Sequence, residues 1–208
     1  MFTEKKQNKI IIISSPSGAG KTTICKYLLK KINNIELSIS FTTRQKRITE
    51  KNGIDYHFIN NEKFIELKKN NYFIESAKVF NNYYGSPYLN IKKAFKKNNH
   101  ILFDIDWQGA KKLRKNFHSS QILDFFILPP NTKELKRRLK KRGRDNKLEI
   151  RMRLSHAMIE MSHYNDYKYI LINDKIGETV NNLLNIINYN ILISKLDLKI
   201  KNKLKFIK

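Results

Sequence analysis

The sequence predicts an α/β fold in which a parallel β-sheet is covered by α-helices on both faces. Four short apolar segments are typical of buried strands, and stretches with the apolar periodicity of a helix lie between them. The strands are predicted at residues 9–14, 100–105, 122–128 and 169–172. Because strands that alternate with helices pair in parallel, we expect a ligand site beyond the carboxyl ends of these strands.

The chain begins with a strand, a Gly-rich loop and a helix. Residues 9–14 are short and β-branched, residues 15–20 are rich in turn formers, and residues 22–31 have helical spacing. This order opens many α/β nucleotide-binding domains.

The next segment has a different character, with short, aromatic-rich strands that predict a separate and mostly β lobe. Strands are predicted at residues 35–41, 56–59, 73–79 and 82–87, and a short helix at 62–70. We assign residues 38–95 to this lobe.

The remaining segments complete the core and a short helical lid. Helical spacing is present at residues 88–97, 108–116, 148–163 and 178–196, and a further helix is expected to begin at Asn131 or Thr132. The basic tail, residues 197–208, is predicted to be frayed or solvated. We divide the chain into a core domain, the lobe and a lid at 134–155, with the core at 1–37, 96–133 and 156–208.

The length and bulk composition are those of one globular domain with inserted lobes. With 208 residues and 40% hydrophobic residues, the chain can bury one core with inserted lobes. No apolar run approaches the roughly 20 residues that a membrane span needs, so no membrane partner is expected. The single cysteine, Cys25, excludes an internal disulfide, and we expect a reducing, cytoplasmic location.

The formal net charge of +24 raises the alternative of a nucleic-acid-binding protein. The lysines, however, are spread along the whole chain and accompany abundant Asn and Ile, all of which have A/T-rich codons. A single-strand binding groove needs clustered basic residues interleaved with aromatic residues, and no such cluster is present. The charge therefore favours compositional drift and phosphorylated small molecules over nucleic acid.

The Gly-rich loop matches most of the phosphate-binding pattern G-x-x-x-x-G-K-[ST]. Gly20, Lys21 and Thr22 match its last three positions, whereas Ser15 replaces the first glycine. Backbone N–H groups of such a loop bind phosphates, the lysine supplies a positive charge, and the following helix directs its positive end to the same anion. This predicts a P-loop NTPase-type sheet. The expected ATP-binding residues are Ser15, Pro16, Ser17, Gly18, Ala19, Gly20, Lys21, Thr22 and Thr23.

The second core strand ends in acidic residues. Asp104 and Asp106 are two residues apart, so they point the same way while the strand lasts. A P-loop enzyme needs an acidic residue at a neighbouring strand end for the magnesium shell. We expect Thr22 and Asp104 to hold Mg²⁺, largely through water, although two solvated or helix-capping acids are the alternative.

Several strings along the chain resemble those of the guanylate kinase family, in family order from about residue 9 to residue 185. The first is S-I-S-F-T-T-R-Q-K-R at residues 38–47, and F-I-E and N-Y-Y-G-S follow within the lobe. The others are L-F-D-I-D-W-Q-G, I-L-P-P, E-M-S-H-Y and I-N-D, at residues 102–109, 127–130, 160–164 and 172–174.

The resemblance implies which residues bind GMP. The arginines and tyrosines look like a phosphate clamp, namely Arg44, Arg47, Tyr56 and Tyr84. The guanine and nucleoside contacts would be Ser40, Glu75, Ser86 and Asp106. A carboxylate at Glu75 can accept two parallel hydrogen bonds from guanine, and adenine presents no such donor pair.

The resemblance also implies the ATP and catalytic residues. Arg138, Arg142 and Arg153 look like lid arginines, with Arg138 placed near ATP, and Asn173 would contact the ATP adenine. The catalytic set would be Lys21, Arg44, Arg142 and Arg153. The alternative for the 137–153 stretch is a solvated basic helix, which we favour for Arg137, Arg144 and Arg151.

The function implied is transfer of the ATP γ-phosphoryl group to GMP, and to dGMP, with Mg²⁺, by a monomer or a homodimer. The sequence departs from the family at Lys46 and Thr49, which replace a proline and a glycine, while Glu50 is kept. One alternative is a scaffold domain that has lost catalysis, but such domains typically lack an intact phosphate loop. Another is a kinase of a different nucleoside monophosphate, which Glu75 and Ser40 disfavour.

Overall fold

The computed structural model describes residues 8–141 and 147–204, and it contains a larger and a smaller β-sheet. The larger sheet consists of β1 (Ile10–Ser14), β2 (Ile35–Leu37), β7 (His100–Asp104), β8 (Ile122–Leu128) and β9 (Tyr169–Ile172). The smaller sheet consists of β3 (Phe41–Thr42), β4 (His57–Phe58), β5 (Phe73–Val79) and β6 (Asn82–Pro87). The helices are α1 (Lys21–Lys31), α2 (Asn61–Lys69), α3 (Tyr88–Lys96), α4 (Trp107–Arg114), α5 (Thr132–Lys141), α6 (Lys147–Ser162) and α7 (Ile176–Leu204).

The larger sheet is parallel throughout, in the order β2-β7-β1-β8-β9, which confirms the predicted fold class. Its central strand β1 is buried on both faces, as its run of four isoleucines predicts. Ile11 and Ile13 pack with α1 and α7, whereas Ile10 and Ile12 pack with α3 and α4. The apolar core thus fixes the carboxyl ends of β1 and β7 side by side.

The smaller sheet is built on the β5–β6 hairpin and is inserted between β2 and β7 of the chain. The prediction of one strand over residues 35–41 is wrong, because β2 belongs to the larger sheet and β3 to the smaller one. The side chain of Asn90 hydrogen-bonds to Ser38 Oγ at 3.2 Å and to the Ile39 carbonyl at 3.1 Å. These bonds satisfy the backbone where the chain passes from one sheet to the other.

The C-terminal helix is longer than predicted. Residues 197–204, predicted to be frayed or solvated, are helical and continue α7. Asp197, Lys199 and Ile200 are exposed and Leu198 is partly buried, while residues 205–208 lie outside the described residues. Lysine and leucine are good helix formers. None of the helices in the described part of the chain is long and apolar enough to cross a membrane.

The imidazole of His100, at the start of β7, is buried and kept neutral. Its Nδ1 accepts a hydrogen bond from the Lys9 backbone N–H at 2.9 Å, so this nitrogen cannot carry a proton. Burial, together with the charges of Lys9 and Lys195, lowers the pKa of His100 to about 4. An unfolded histidine titrates near pH 6.5. Between these values the unfolded chain binds a proton that the folded chain rejects, so the stabilisation present above pH 6.5 is lost as the pH falls.

We therefore expect the wild type to lose about 2 kcal/mol of unfolding free energy through His100 between pH 7.5 and pH 5. His100→Asn offers an acceptor oxygen and cannot titrate, so urea unfolding of this variant should show a pH dependence smaller by that amount. Equal pH dependence in the two proteins would contradict the assignment.

Candidate active site

A cavity of about 640 Å³ lies at the carboxyl ends of β1 and β7, between the larger sheet and the inserted lobe. It brings together most of the residues predicted for the two nucleotides. The predicted residues in its lining are Ser15, Pro16, Ser17, Gly18, Gly20, Lys21, Thr22, Ser40, Arg44, Arg47, Tyr56, Glu75, Tyr84, Asp104, Asp106 and Arg153. The predicted residues Ala19, Thr23, Ser86, Arg138 and Asn173 lie outside this lining, and Arg142 lies outside the described residues.

The phosphate loop joins β1 to the N-terminus of α1. Gly20 has a φ of 101°, which residues with a side chain rarely adopt. A Cβ at this position would also lie 2.6 Å from Asn173 Nδ2, so both the backbone angle and the lack of space favour glycine. Ser15 does not have a positive φ, so the loop does not need a glycine at its first position. The departure from the general pattern is therefore compatible with the loop geometry.

Lys21 forms an ion pair with the carboxylate of Asp104 at the end of β7. Burial alone would lower the pKa of Lys21, but the Asp104 charge and hydrogen bond outweigh it and raise the pKa. The ammonium group is therefore fully charged at neutral pH, as a phosphate-binding lysine must be.

Thr22 and Asp104 meet the chemical requirements for holding Mg²⁺. The hydroxyl of Thr22 lies 3.4 Å from Asp104 Oδ2, and both groups are hard oxygen donors at one edge of the cavity. In the ranges 8–141 and 147–204, no group of three or more His, Cys, Asp or Glu residues is arranged to hold a metal ion. A site of this kind suits Mg²⁺, which keeps several waters and takes substrate phosphates as ligands.

Glu75 is buried at the other end of the cavity in a chain of hydrogen bonds. Ser86 Oγ donates to Glu75 Oε1 at 2.5 Å, and the hydroxyls of Ser40 and Ser86 are 3.0 Å apart. Burial raises the pKa of Glu75 to about 7, although the bond from Ser86 opposes this. The β5–β6 register places Glu75 opposite Ser86, so the hairpin itself creates the contact.

The two acids at the carboxyl end of β7, Asp104 and Asp106, have separate environments and do not form a pair. Asp106 caps α4, where its Oδ1 accepts from Gly109 N at 2.8 Å, and its buried Oδ2 has no hydrogen-bond partner within the described chain. Burial raises the pKa of Asp106. A Cβ on Gly109 would lie 2.5 Å from Glu75 Oε2, so glycine lets α4 approach the buried carboxylate. Asp106 thus adjoins Glu75, whereas Asp104 adjoins Lys21.

The predicted phosphate clamp is organised by Glu50. Its carboxylate accepts from Arg44 Nη2 at 2.8 Å and from the backbone N–H of Arg47 at 2.9 Å. The guanidinium of Arg44 lies 5.5 Å from the ring centre of Tyr56, and the rings of Tyr56 and Tyr84 are 6.0 Å apart. These contacts hold residues 44–50 together, although Lys46 and Thr49 replace the proline and the glycine of the family pattern in this loop.

Asn173 and Arg138 meet at the carboxyl end of β9. The buried amide of Asn173 donates from Nδ2 to the Ala19 carbonyl at 2.7 Å and accepts at Oδ1 from Thr179 Oγ1 at 3.1 Å. Arg138 donates from Nη2 to the Asn173 carbonyl at 3.0 Å. In this arrangement Asn173 supports the phosphate loop, and its contact with adenine stays a prediction.

Comparisons with known proteins agree with this geometry. A sequence model of the guanylate kinase family matches residues 7–190. The chain is 44% identical to the guanylate kinase of Rickettsia prowazekii over 183 residues, which cover 88% of this chain and 92% of that protein. The chain belongs to the guanylate kinase family. The guanylate kinase of Rickettsia felis is 45% identical over 186 residues, covering 89% of this chain and 96% of that protein.

A solved structure has the same fold. The crystal structure of guanylate kinase from Anaplasma phagocytophilum superimposes with a TM-score of 0.73 at 36% identity and covers 88% of this chain and 85% of that chain. The family is one of ATP-dependent nucleoside monophosphate kinases, so the predicted enzyme class is confirmed.

The sequence did not assign roles to two cavity residues that the structure brings out. Glu50 was noted as a kept residue of the guanylate kinase family, but its bonds to the two arginines become visible only in the folded loop. Glu160 lies in the E-M-S-H-Y string and accepts a hydrogen bond from Ser17 N at 3.0 Å. Both residues could have been found only from the segments that resemble the guanylate kinase family, since no local sequence pattern marks either carboxylate.

Proposed function

We propose that this chain transfers the γ-phosphoryl group of ATP to GMP, giving ADP and GDP, and that it also accepts dGMP. The observation that carries this proposal is that one cavity holds a charged phosphate-loop lysine, Lys21, at one end and a buried carboxylate, Glu75, at the other. The first end suits the phosphates of ATP, and the second suits a base with two adjacent donors.

The loop of residues 15–23 binds the ATP phosphates through its backbone N–H groups, with Lys21 on the outer phosphates. Thr22, and Asp104 through water, would hold Mg²⁺, which would supply neutralisation of the phosphate charge. Arg138 and Asn173, which hydrogen-bond to each other at the end of β9, are the residues that we propose for the adenosine part of ATP.

At the acceptor end, Glu75 accepts hydrogen bonds from guanine N1–H and the 2-amino group. Ser40, Ser86 and Asp106 are the residues that we propose for the remaining polar contacts to the guanosine. In the free chain Ser86 is buried and hydrogen-bonds to Glu75 and Ser40. The GMP phosphate is held by Arg44 and Arg47, with hydroxyl donors from Tyr56 and Tyr84. Glu50 presents the two arginines together.

Transfer needs no strong general base, because the acceptor is already a phosphate oxyanion. The protein has to hold the two nucleotides in line and offset the repulsion between their phosphates. Lys21, Arg44, Arg142 and Arg153 carry this charge neutralisation. Closure of the lobe at residues 38–95 and of the lid at 134–155 excludes water, which would otherwise hydrolyse ATP.

The partners in this proposal are small molecules, and the enzyme acts in the cytoplasm as a monomer or homodimer in purine nucleotide metabolism. Nucleic acid and membranes are not expected partners. The formal charge of +24 matters here only because it favours anionic substrates.

A coupled assay that follows ADP release tests the proposal. With ATP and Mg²⁺, we expect turnover with GMP and dGMP and at least about a hundredfold lower kcat/KM with AMP, CMP and UMP, because these bases lack the paired donors. ADP release with GMP that does not exceed the rate without acceptor would reject the proposed function.

A further inference from the structure

Glu160 connects helix α6 to the phosphate loop. Its Oε2 accepts a hydrogen bond from the backbone N–H of Ser17 at 3.0 Å, across 143 positions of sequence. Glu160 lies near the carboxyl end of α6, in the wall of the active-site cavity. The amides of such loops usually bind phosphate, so a carboxylate on one of them needs an explanation.

The loop is also held by the helix that precedes α6. Leu135 and Leu139 of α5 lie within 3.3 Å of the position that a Cβ on Gly18 would occupy. The same two leucines form a buried cluster with Ala157 of α6. Glu160 and this cluster therefore fix α6 against the loop from two adjoining points.

Arg153 lies seven residues before Glu160 on the same helix. Seven residues make about two helical turns, so the two side chains project from one face about 10 Å apart along the axis. Both line the cavity. Any rotation or shift of α6 against the phosphate loop would consequently displace Arg153 from the ATP phosphates.

The charge of Glu160 is poorly suited to direct contact with substrate. A free carboxylate would repel the incoming polyphosphate, and the acceptor needs no general base. Burial raises the pKa of Glu160, with the bond from Ser17 and the charge of Lys21 opposing the shift and Asp106 adding to it. A role as hydrogen-bond acceptor to the loop explains a carboxylate at this place, and a neutral amide oxygen would serve as well.

We propose that Glu160 is a positioning residue that ties α6 to Ser17 and thereby sets the position of Arg153 relative to the transferred phosphoryl group. This inference rests on the proposed function. It predicts that kcat depends on the hydrogen-bond acceptor oxygen of residue 160 and not on its negative charge. It also predicts that the effect of Glu160 on kcat requires Arg153.

The test uses Glu160→Ala and Glu160→Gln in the full chain, assayed with ATP and GMP. We expect the alanine variant to lose about tenfold or more in kcat, with the KM for GMP unchanged within about twofold, since the one partly buried hydrogen bond that is lost is made to the phosphate loop. The glutamine variant, which keeps the acceptor oxygen, should recover to within about threefold of wild type. Glu178→Ala and Glu178→Gln on the exposed face of α7 serve as matched controls and should leave turnover unchanged.

A double-mutant cycle with Arg153→Ala separates positioning from general destabilisation. If Glu160 acts through Arg153, then Glu160→Ala should reduce kcat by less than about twofold in the Arg153→Ala background. The proposal would be overturned if the losses of kcat in Glu160→Ala and Arg153→Ala multiplied in the double variant. It would also be overturned if Glu160→Gln were as slow as Glu160→Ala, or if Glu160→Ala were as fast as wild type.

Two further outcomes are decided by the same set of proteins. If Glu160→Ala does not fold by thermal unfolding, the glutamine variant decides alone: near-wild-type turnover supports the positioning role, and a loss above tenfold rejects it. Wild-type protein without GMP-dependent ADP release would reject the proposed function, whereas an active wild type with an equally active alanine variant rejects only the role of Glu160.

Discussion

Replacing Lys21 with alanine is expected to lower kcat for phosphoryl transfer by about a thousandfold or more while GMP still binds. Lys21 is the one charged residue among residues 15–23, and we propose that its ammonium group binds the outer phosphates. Its ion pair with Asp104 raises its pKa and keeps it protonated. Its removal also leaves the Asp104 carboxylate without its counter-charge, which adds repulsion toward ATP. A coupled ADP-release assay gives kcat, and calorimetry gives the Kd for GMP.

The matched control is Lys30→Ala, an exposed lysine in the last turn of the same helix. It removes an equal charge outside the cavity and should leave kcat within about twofold of wild type. If Lys21→Ala kept more than a tenth of the wild-type kcat, Lys21 would not be the phosphate-binding charge. If it lost GMP affinity as well, the two ends of the cavity would not be independent.

The core and the phosphate loop were predictable because their signals are local. A run of isoleucines buried on both faces, a Gly-rich turn and a helix occupy 23 consecutive positions, from Lys9 to Lys31. The parallel order of the larger sheet then followed from the alternation of strands and helices. The element boundaries were less certain, as the continuation of α7 to Leu204 illustrates.

The errors and omissions arise where distant side chains decide the structure. Residues 35–41 are divided between two sheets because they pair with distant strands, β7 and β6, and the side chain of Asn90, about 50 positions further along the chain, hydrogen-bonds to the segment between them. The bond between Ser17 and Glu160 joins residues that only the folded chain brings together. No periodicity or local motif contains information of this kind.

The proposed GMP end of the cavity could be predicted only through the family resemblance. Glu75 alone is an ordinary acid on a strand, and its burial depends on the β5–β6 register and on the approach of α4 at Gly109. The sequence identified the residue type that guanine requires, but the raised pKa and the bond from Ser86 come from the fold. This end therefore yields a prediction that the sequence does not contain.

The affinity for GMP is expected to rise with pH through neutrality because of Glu75. Only the ionised carboxylate can accept both hydrogen bonds from guanine, and burial raises the pKa of Glu75 to about 7 in the free protein. Below pH 7, binding must therefore expel a proton, and the apparent Kd should increase about tenfold from pH 8 to pH 6. Calorimetric titrations with GMP at pH 6, 7 and 8 measure this directly.

Glu75→Gln separates this effect from the titration of the GMP phosphate, which both proteins share. The glutamine places an NH₂ group against the guanine donors, so GMP should bind about a hundredfold or more weakly at pH 8. Its residual pH dependence reports the phosphate and the neighbouring Asp106, whose pKa burial also raises, and the difference from wild type belongs to Glu75. Glu66→Gln, on the exposed face of α2 in the same lobe, is the matched control and should bind like wild type. A pH dependence in Glu75→Gln equal to that of the wild type would place the titrating group elsewhere, and an unchanged Kd at pH 8 would remove Glu75 from guanine recognition altogether.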